Sequence, residues 1–144
     1  MQPLSLVAVV LALVGIGLGI AALSKDDDAF ERQTLQLIEE TENEEPLDVG
    51  REPALTFSSP VSGDADGELA GVCLPVGEDG IACETTFFLP DGTITTQNAR
   101  LGDTREITSP IVGGTGAYEG ALGTHSIADP DSQEHTLELI LPAG

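Results

Sequence analysis

Tryptophan is absent from the 144 residues, and the aromatic side chains are only Phe30, Phe57, Phe87, Phe88 and Tyr118. A site built on stacked rings is not expected. Any core has to come from Leu, Ile, Val and Ala, which bury less area per residue and keep it small. Basic residues are equally scarce: five Lys plus Arg, with Lys25 the only lysine, against 25 Asp plus Glu, a formal net charge of −20. A field of that sign repels polyanions, so nucleic acid and anionic lipid headgroups are poor partners. The same acidity fits a surface kept hydrated in strong brine and also an ordinary acidic exported protein. There is no G-x-S-x-G elbow, and the two histidines and two cysteines fall outside zinc-finger spacing. No metal and no cofactor are expected. The length suits one domain with short appendages.

Long apolar runs are also few, but one is present: "LSLVAVVLALVGIGLGIAAL", Leu4 to Leu23, carries no charge. It matches the roughly 20 residues a helix needs to cross a bilayer. Residues 1–24 therefore read as an uncleaved membrane anchor through 4–23, or as a secretion signal, since small residues at 19–21 and 22–24 suit signal peptidase. The acidic remainder is then expected outside the cell membrane, or secreted if the segment is cut. Gly15 and Gly19 form a G-x-x-x-G pair of the kind that lets membrane helices approach, although glycine is common in such helices for other reasons.

Residues 25–53 read as an acidic stalk. Asp28 with Glu31 has the form of a helix cap, and Phe30, Thr34, Leu37 and Ile38 fall near one helical face. The expectation is a short helix over Ala29–Glu40, then an extended, charge-stretched linker to Pro53. The aspartate run and "DADGE" at 64–68 lack calcium-loop ligand spacing, and the latter reads as a turn.

From Ala54 to Gly144 the pattern changes to short runs rich in Thr, Val, Ile and Phe: "ALTFSS", "ELAGVCLPV", "IACETTFFL", "TITTQNARL", "TREITS", "ALGTHSI" and "HTLELIL". Between them lie "GEDG", "PDG", "GD" and "DPDS", turns too short for anything but antiparallel neighbours. This is an all-β domain, expected as a small closed antiparallel up-and-down barrel of about eight strands. Closing the last strand onto the first removes exposed edges. In "HTLELIL" the residues His135, Leu137, Leu139 and Leu141 share one face.

The glycines of "IVGGTGAYEGALG" give G-x-G-x-x-E where a dinucleotide cradle needs G-x-G-x-x-G entering a helix, and the residues after them, "ALGTHSI", are strand-like. Gly113, Gly114, Gly116, Gly120 and Gly123 are instead expected to turn a strand at a corner. "FFLPDGTITTQN" followed by "REITSPIVGGTGAYEGALG", together with "AGVC" at 70–73, resembles the allene oxide cyclase and dirigent barrel superfamily. The resemblance covers Glu68 to Ile127 and hardly touches Ala54–Ser59. It implies an eight-stranded barrel holding a small, mostly apolar molecule; homo-oligomers occur in those families, which leaves self-association open. The glutamate of the plant cyclases' first strand is missing from "LTFSS", and Arg100 replaces their tyrosine, so the fold and cavity carry over and the reaction does not.

Phe57, Cys73, Phe87, Arg100 and Tyr118 are the cavity candidates; no catalytic residue is assigned. Cys73 and Cys83 flank one turn with the same parity, which places a disulfide within reach, whereas the resemblance implies a free thiol at Cys73. Arg100 shares a face with Ile94, Thr96 and Asn98, and pointing inward it could hold an anionic ligand; pointing outward it would pair with surface carboxylates. His125 and His135 each sit near a strand end, where one could carry a proton at the barrel mouth. Two functions are compatible with this pattern: a barrel that binds or orients a small hydrophobic molecule, cyclase- or dirigent-like, or a non-catalytic envelope module with a side-chain-filled barrel. Cavity volume separates them.

Overall fold

The computed structural model describes residues 29–40, 43–49, 52–102, 107–128 and 133–144. Nine strands form: β1 (Phe30–Glu39), β2 (Asn43–Val49), β3 (Glu52–Gly63), β4 (Gly67–Val76), β5 (Gly80–Leu89), β6 (Gly92–Leu101), β7 (Ile107–Gly114), β8 (Leu122–Ile127) and β9 (Glu134–Pro142). From β3 to β9 each strand pairs antiparallel with the next, as the short turns require. β9 then pairs with β1, and β1 with β3, which closes a wall of eight strands. β2 stands outside the wall, paired with the first part of β3.

Two expectations are corrected. Ala29–Glu40 is not a helix: Phe30–Glu39 is the strand that closes the barrel, lying between β9 and β3. Its inward positions Leu35 and Leu37 are buried, while Phe30 and Ile38 are exposed. Two buried leucines give too weak a period-two signal to compete with the capping pattern, and the unpaired edges of β9 and β3 decide the outcome. For the same reason residues 43–49 are a paired strand rather than a free linker, and the barrel starts at Phe30 rather than Ala54. The membrane-segment reading of 4–23 lies outside the described residues, among which no helix is long and apolar enough to cross a membrane.

The glycine cluster lies where the chain turns between β7 and β8. β7 ends at Gly114, a three-residue 3-10 turn spans Gly116–Tyr118, and β8 begins at Leu122. Gly116, Gly120 and Gly123 have φ of 64°, 74° and 138°, which side chains disfavour. Gly113 carries no such demand and is an ordinary residue of β7. The corner docks on the β5–β6 turn: Thr115 N–H donates to the Thr93 carbonyl at 2.9 Å and Ala117 N–H to the Asp91 carbonyl at 2.8 Å. A Cβ on Gly92 would run into the Thr115 carbonyl, and one on Gly116 into the Asp91 carbonyl. The two halves of the sequence resemblance, "PDG" and "GGTG", thus touch backbone to backbone.

The end of the barrel nearest this corner is packed solid. Leu37, Val61, Leu69, Phe87, Ile94, Ile111, Tyr118, Ala121, Leu137 and Leu139 are buried together there. Midway up, Cys73 and Cys83 are direct partners across β4 and β5 and form a disulfide, with a Cα–Cα distance of 4.1 Å. A bridge closing so short a loop contributes on the order of 2–3 kcal/mol on the chain-entropy model. The free-thiol reading of Cys73 does not hold.

Candidate functional site

Above the packed half, the inward positions turn polar. Following neighbouring strands around the wall, the inward-facing residues include Ser59 on β3, Glu39 on β1, His135 on β9, His125 on β8, Ser109 on β7 and Asn98 on β6; the Cys73–Cys83 disulfide on β4 and β5 completes the circuit. The register sets this belt. Ser109 lies directly opposite His125. His125 opposes Leu137, so His135, two residues earlier, is its diagonal neighbour. Leu37 opposes His135, which makes Glu39 the next diagonal step.

A chain of hydrogen bonds runs along that diagonal. Glu39 Oε2 lies 3.2 Å from His135 Nε2, and His135 Nδ1 lies 2.9 Å from His125 Nε2. Both histidines are 4% exposed. Their ring planes differ by 5° with centroids 5.1 Å apart. That separation exceeds the N···N distance by about two ring radii, so the rings are coplanar and joined in line rather than stacked face to face. Phe87, fully buried, stands at 78° to His125 and 77° to His135 and fixes both ring planes from below.

The electrostatics are set by burial and neighbours. The Glu39 carboxyl is held below its ordinary 4.5, chiefly because the His135 ring donates to it; burial opposes this, and the Ser59 hydroxyl adds support. His125 is pushed down from 6.5 to about 3, first by burial and then by its proximity to His135. An ionised Glu39 and a neutral His125 are therefore the resting forms at neutral pH.

These groups line a cavity of about 220 Å³ with Leu55, Phe57, Leu69, Cys73, Ile81, Thr85, Asn98, Arg100, Ile107, Ser109 and Ile127. It opens at the end of the barrel opposite the glycine corner. Three buried side-chain atoms among the described residues have no hydrogen-bond partner: Glu39 Oε1, Asn98 Oδ1 and His125 Nδ1. All three belong to residues that line this cavity. Buried polar atoms are rarely left unpaired, since each costs about 1–3 kcal/mol. Among the described residues no three His, Cys, Asp or Glu side chains are grouped as metal ligands; the two imidazoles face each other.

A larger hollow of about 690 Å³ lies on the outer wall, lined by Val72, Leu74, Ala82, Ala99, Pro110 and Val112 among others. It sits where β6 and β7 part: among the described residues their backbone pairing covers Ile94–Thr96, with a bulge between Thr95 and Thr96. Beyond it Asn98 Nδ2 donates to Ser109 Oγ at 2.9 Å, side chains meeting where the backbone ladder has stopped. Asn98 and Cys83 line both hollows, so the wall is thin at this point. The outer hollow is nevertheless an open depression, away from the histidines.

Of the five cavity candidates, Phe57, Cys73 and Arg100 line the cavity. Arg100 is the inward arginine, on the same face as Ile94, Thr96 and Asn98. Phe87 is the floor beneath the histidines. Tyr118 does not belong: it is buried in the corner at the packed end, where burial pushes its hydroxyl up. Glu39 is a site residue that the sequence does not announce, because the capping pattern around it suggests a helix. A cyclase-like glutamate is missing from Ala54–Ser59, yet the strand that opens the barrel brings a glutamate to the cavity. Ser109 and Asn98 carry no sequence signal beyond parity with their inward neighbours.

No protein-family model matches the chain, and no curated protein sequence matches it. Solved structures do. A pyocyanin demethylase superposes with a TM-score of 0.56 at 22% identity, covering 76% of this chain and 98% of that one. The exo-specific intermolecular Diels-Alderase AbnU superposes with a TM-score of 0.56 at 15% identity, over 78% of this chain and 98% of its own. The class these likenesses define is that of small closed eight-stranded antiparallel barrels.

Proposed function

We propose that the protein binds and orients one small, largely apolar molecule inside the open half of its barrel, acting as a cyclase- or isomerase-like enzyme by confinement and acid–base assistance. The observation that carries this reading is the coincidence of the cavity with all three unpartnered buried polar atoms. Residues that line a cavity while holding buried acceptors without a protein donor suit a ligand that brings hydrogens. The structural neighbours point the same way, one demethylating pyocyanin and the other joining two molecules in a Diels–Alder reaction. The motifs in "PDG" and "IVGGTGAYEGALG" favour kinship with the allene oxide cyclase and dirigent barrels. The filled-barrel alternative describes only the corner half. We further place the barrel on the outer side of a membrane, tethered through residues 4–23 or released if that segment is cut; the disulfide is in keeping with an oxidising compartment.

The test uses the full chain in detergent micelles and the uncharged single-ring probe 4-nitroanisole, titrated by ligand-observed NMR. Saturable binding is expected, and it should disappear in Thr85→Phe, which fills the cavity from β5. Absence of binding, or binding unchanged by Thr85→Phe, overturns the reading.

A further inference from the structure

The three unpartnered atoms say more than that a ligand fits; their polarity says what kind. An ionised Glu39 can only accept, so the proton on His135 facing it sits on Nε2. A ring that donates to Glu39 from Nε2 and holds no second proton has a lone pair at Nδ1, and the 2.9 Å contact is then a hydrogen bond donated by His125 Nε2. His125, itself neutral, then presents Nδ1 as a bare lone pair, buried and without a partner. Asn98 Oδ1 and Glu39 Oε1 are acceptors as well. The residues that line the cavity thus hold three acceptors without a protein donor. Its lining contains one cation, Arg100, which already has an interaction within the protein.

We infer that the site takes a small ring compound carrying an O–H donor, a phenol or an enol, and that His125 Nδ1 accepts its proton while His135 and Glu39 hold the resulting charge. The inference rests on the cavity reading above and deepens it. The step balances without any other reactant. The ligand's O–H bond breaks as an Nδ1–H bond forms on His125; the Nε2–H of His125 breaks as an Nδ1–H forms on His135. What remains is a ligand oxyanion, a neutral His125, and a His135 imidazolium 3.2 Å from the Glu39 carboxylate. Charge left on His125 would sit against Phe87 with no counter-ion on its own ring, whereas on His135 it is paired. His125 is therefore the group that touches the ligand, and Glu39 is a positioning residue acting through His135.

A matched pair of probes tests this: 4-nitrophenol, whose ionised form has its own visible absorption band, and 4-nitroanisole, the same ring with the donor methylated. At a pH where the free phenol is un-ionised, the wild-type chain should bind the phenol roughly tenfold more tightly than the ether, because the ether leaves the acceptors unpaired. The bound phenol should show the phenolate band. His125→Phe should lose both the preference and the band while still binding the ether, with His125→Gln as the substitute where Phe does not fold. Glu39→Gln should keep phenol binding but lose the band, an outcome that a merely structural role for Glu39 would not produce. Equal affinity for phenol and ether in the wild type, or a phenolate band that survives in His125→Phe, overturns the inference and leaves the cavity reading standing. Failure of both probes to bind overturns the cavity reading and this inference with it.

Discussion

At the scale of single residues, Glu39 and His125 determine how the barrel responds to acid. Both have folded-state pKa values below their ordinary ones. In both cases the unfolded chain binds the proton more readily, so unfolding becomes easier as pH falls. For His125 the stability is fully present above about 6.5 and is lost on the way down toward about 3; for Glu39 the loss begins near 4.5. Each group contributes a slope of up to about 1.4 kcal/mol per pH unit inside its window. Urea unfolding midpoints measured from neutral to acid pH should therefore decline below about 6.5, and His125→Phe should flatten the upper part of that decline. An unaltered slope in the variant would show that another group carries it. Much of this is open to reading from sequence: His125 and His135 flank one turn with the same parity, and the even-sum register of β8 and β9 sets them on one face. Their partner is not, because nothing about Glu39 distinguishes it from its neighbours Glu40 and Glu42 until its strand is known.

Among the elements, β1 and the β6–β7 junction are where local pattern and final structure part. β4, β5, β6, β8 and β9 can be read almost to the residue, since turn residues bound them and their inward faces are clearly apolar. β1 cannot be, because only Leu35 and Leu37 mark its buried face and the next position on that face is Glu39, the carboxylate that lines the cavity. A strand that serves a site sacrifices part of the pattern by which it would be recognised. The β6–β7 junction holds no sequence signal at all. Among the described residues, backbone pairing to β7 stops at Thr96, which leaves half the amides of Gln97–Arg100 without a ladder partner on that side. Amide hydrogen exchange should accordingly be faster in Gln97–Arg100 than in Ile94–Thr96, and faster again in Asn98→Ala, which removes the side-chain bridge to Ser109. Uniform protection along β6 would mean the wall is sealed there in solution.

For the whole molecule, most of the formal charge of −20 has to be accommodated on one small barrel. Self-repulsion of that size opposes compaction and is relieved by salt, because the screening length falls from about 10 Å at 0.1 M to about 3 Å at 1 M. Thermal unfolding should shift to higher temperature as sodium chloride rises over that range; a midpoint indifferent to salt would mean the carboxylates are too far apart, or too well hydrated, to repel. The fold class needs only turns and alternation to be legible, whereas the cavity depends on closure through β1. The direction in which the barrel opens also depends on β1. Phe30 enters beside Pro142, next to the glycine corner at the sealed end. The barrel therefore stands like a cup on its base: its first and last strands enter and leave at the sealed foot, while the rim faces the other way, toward whatever diffuses in.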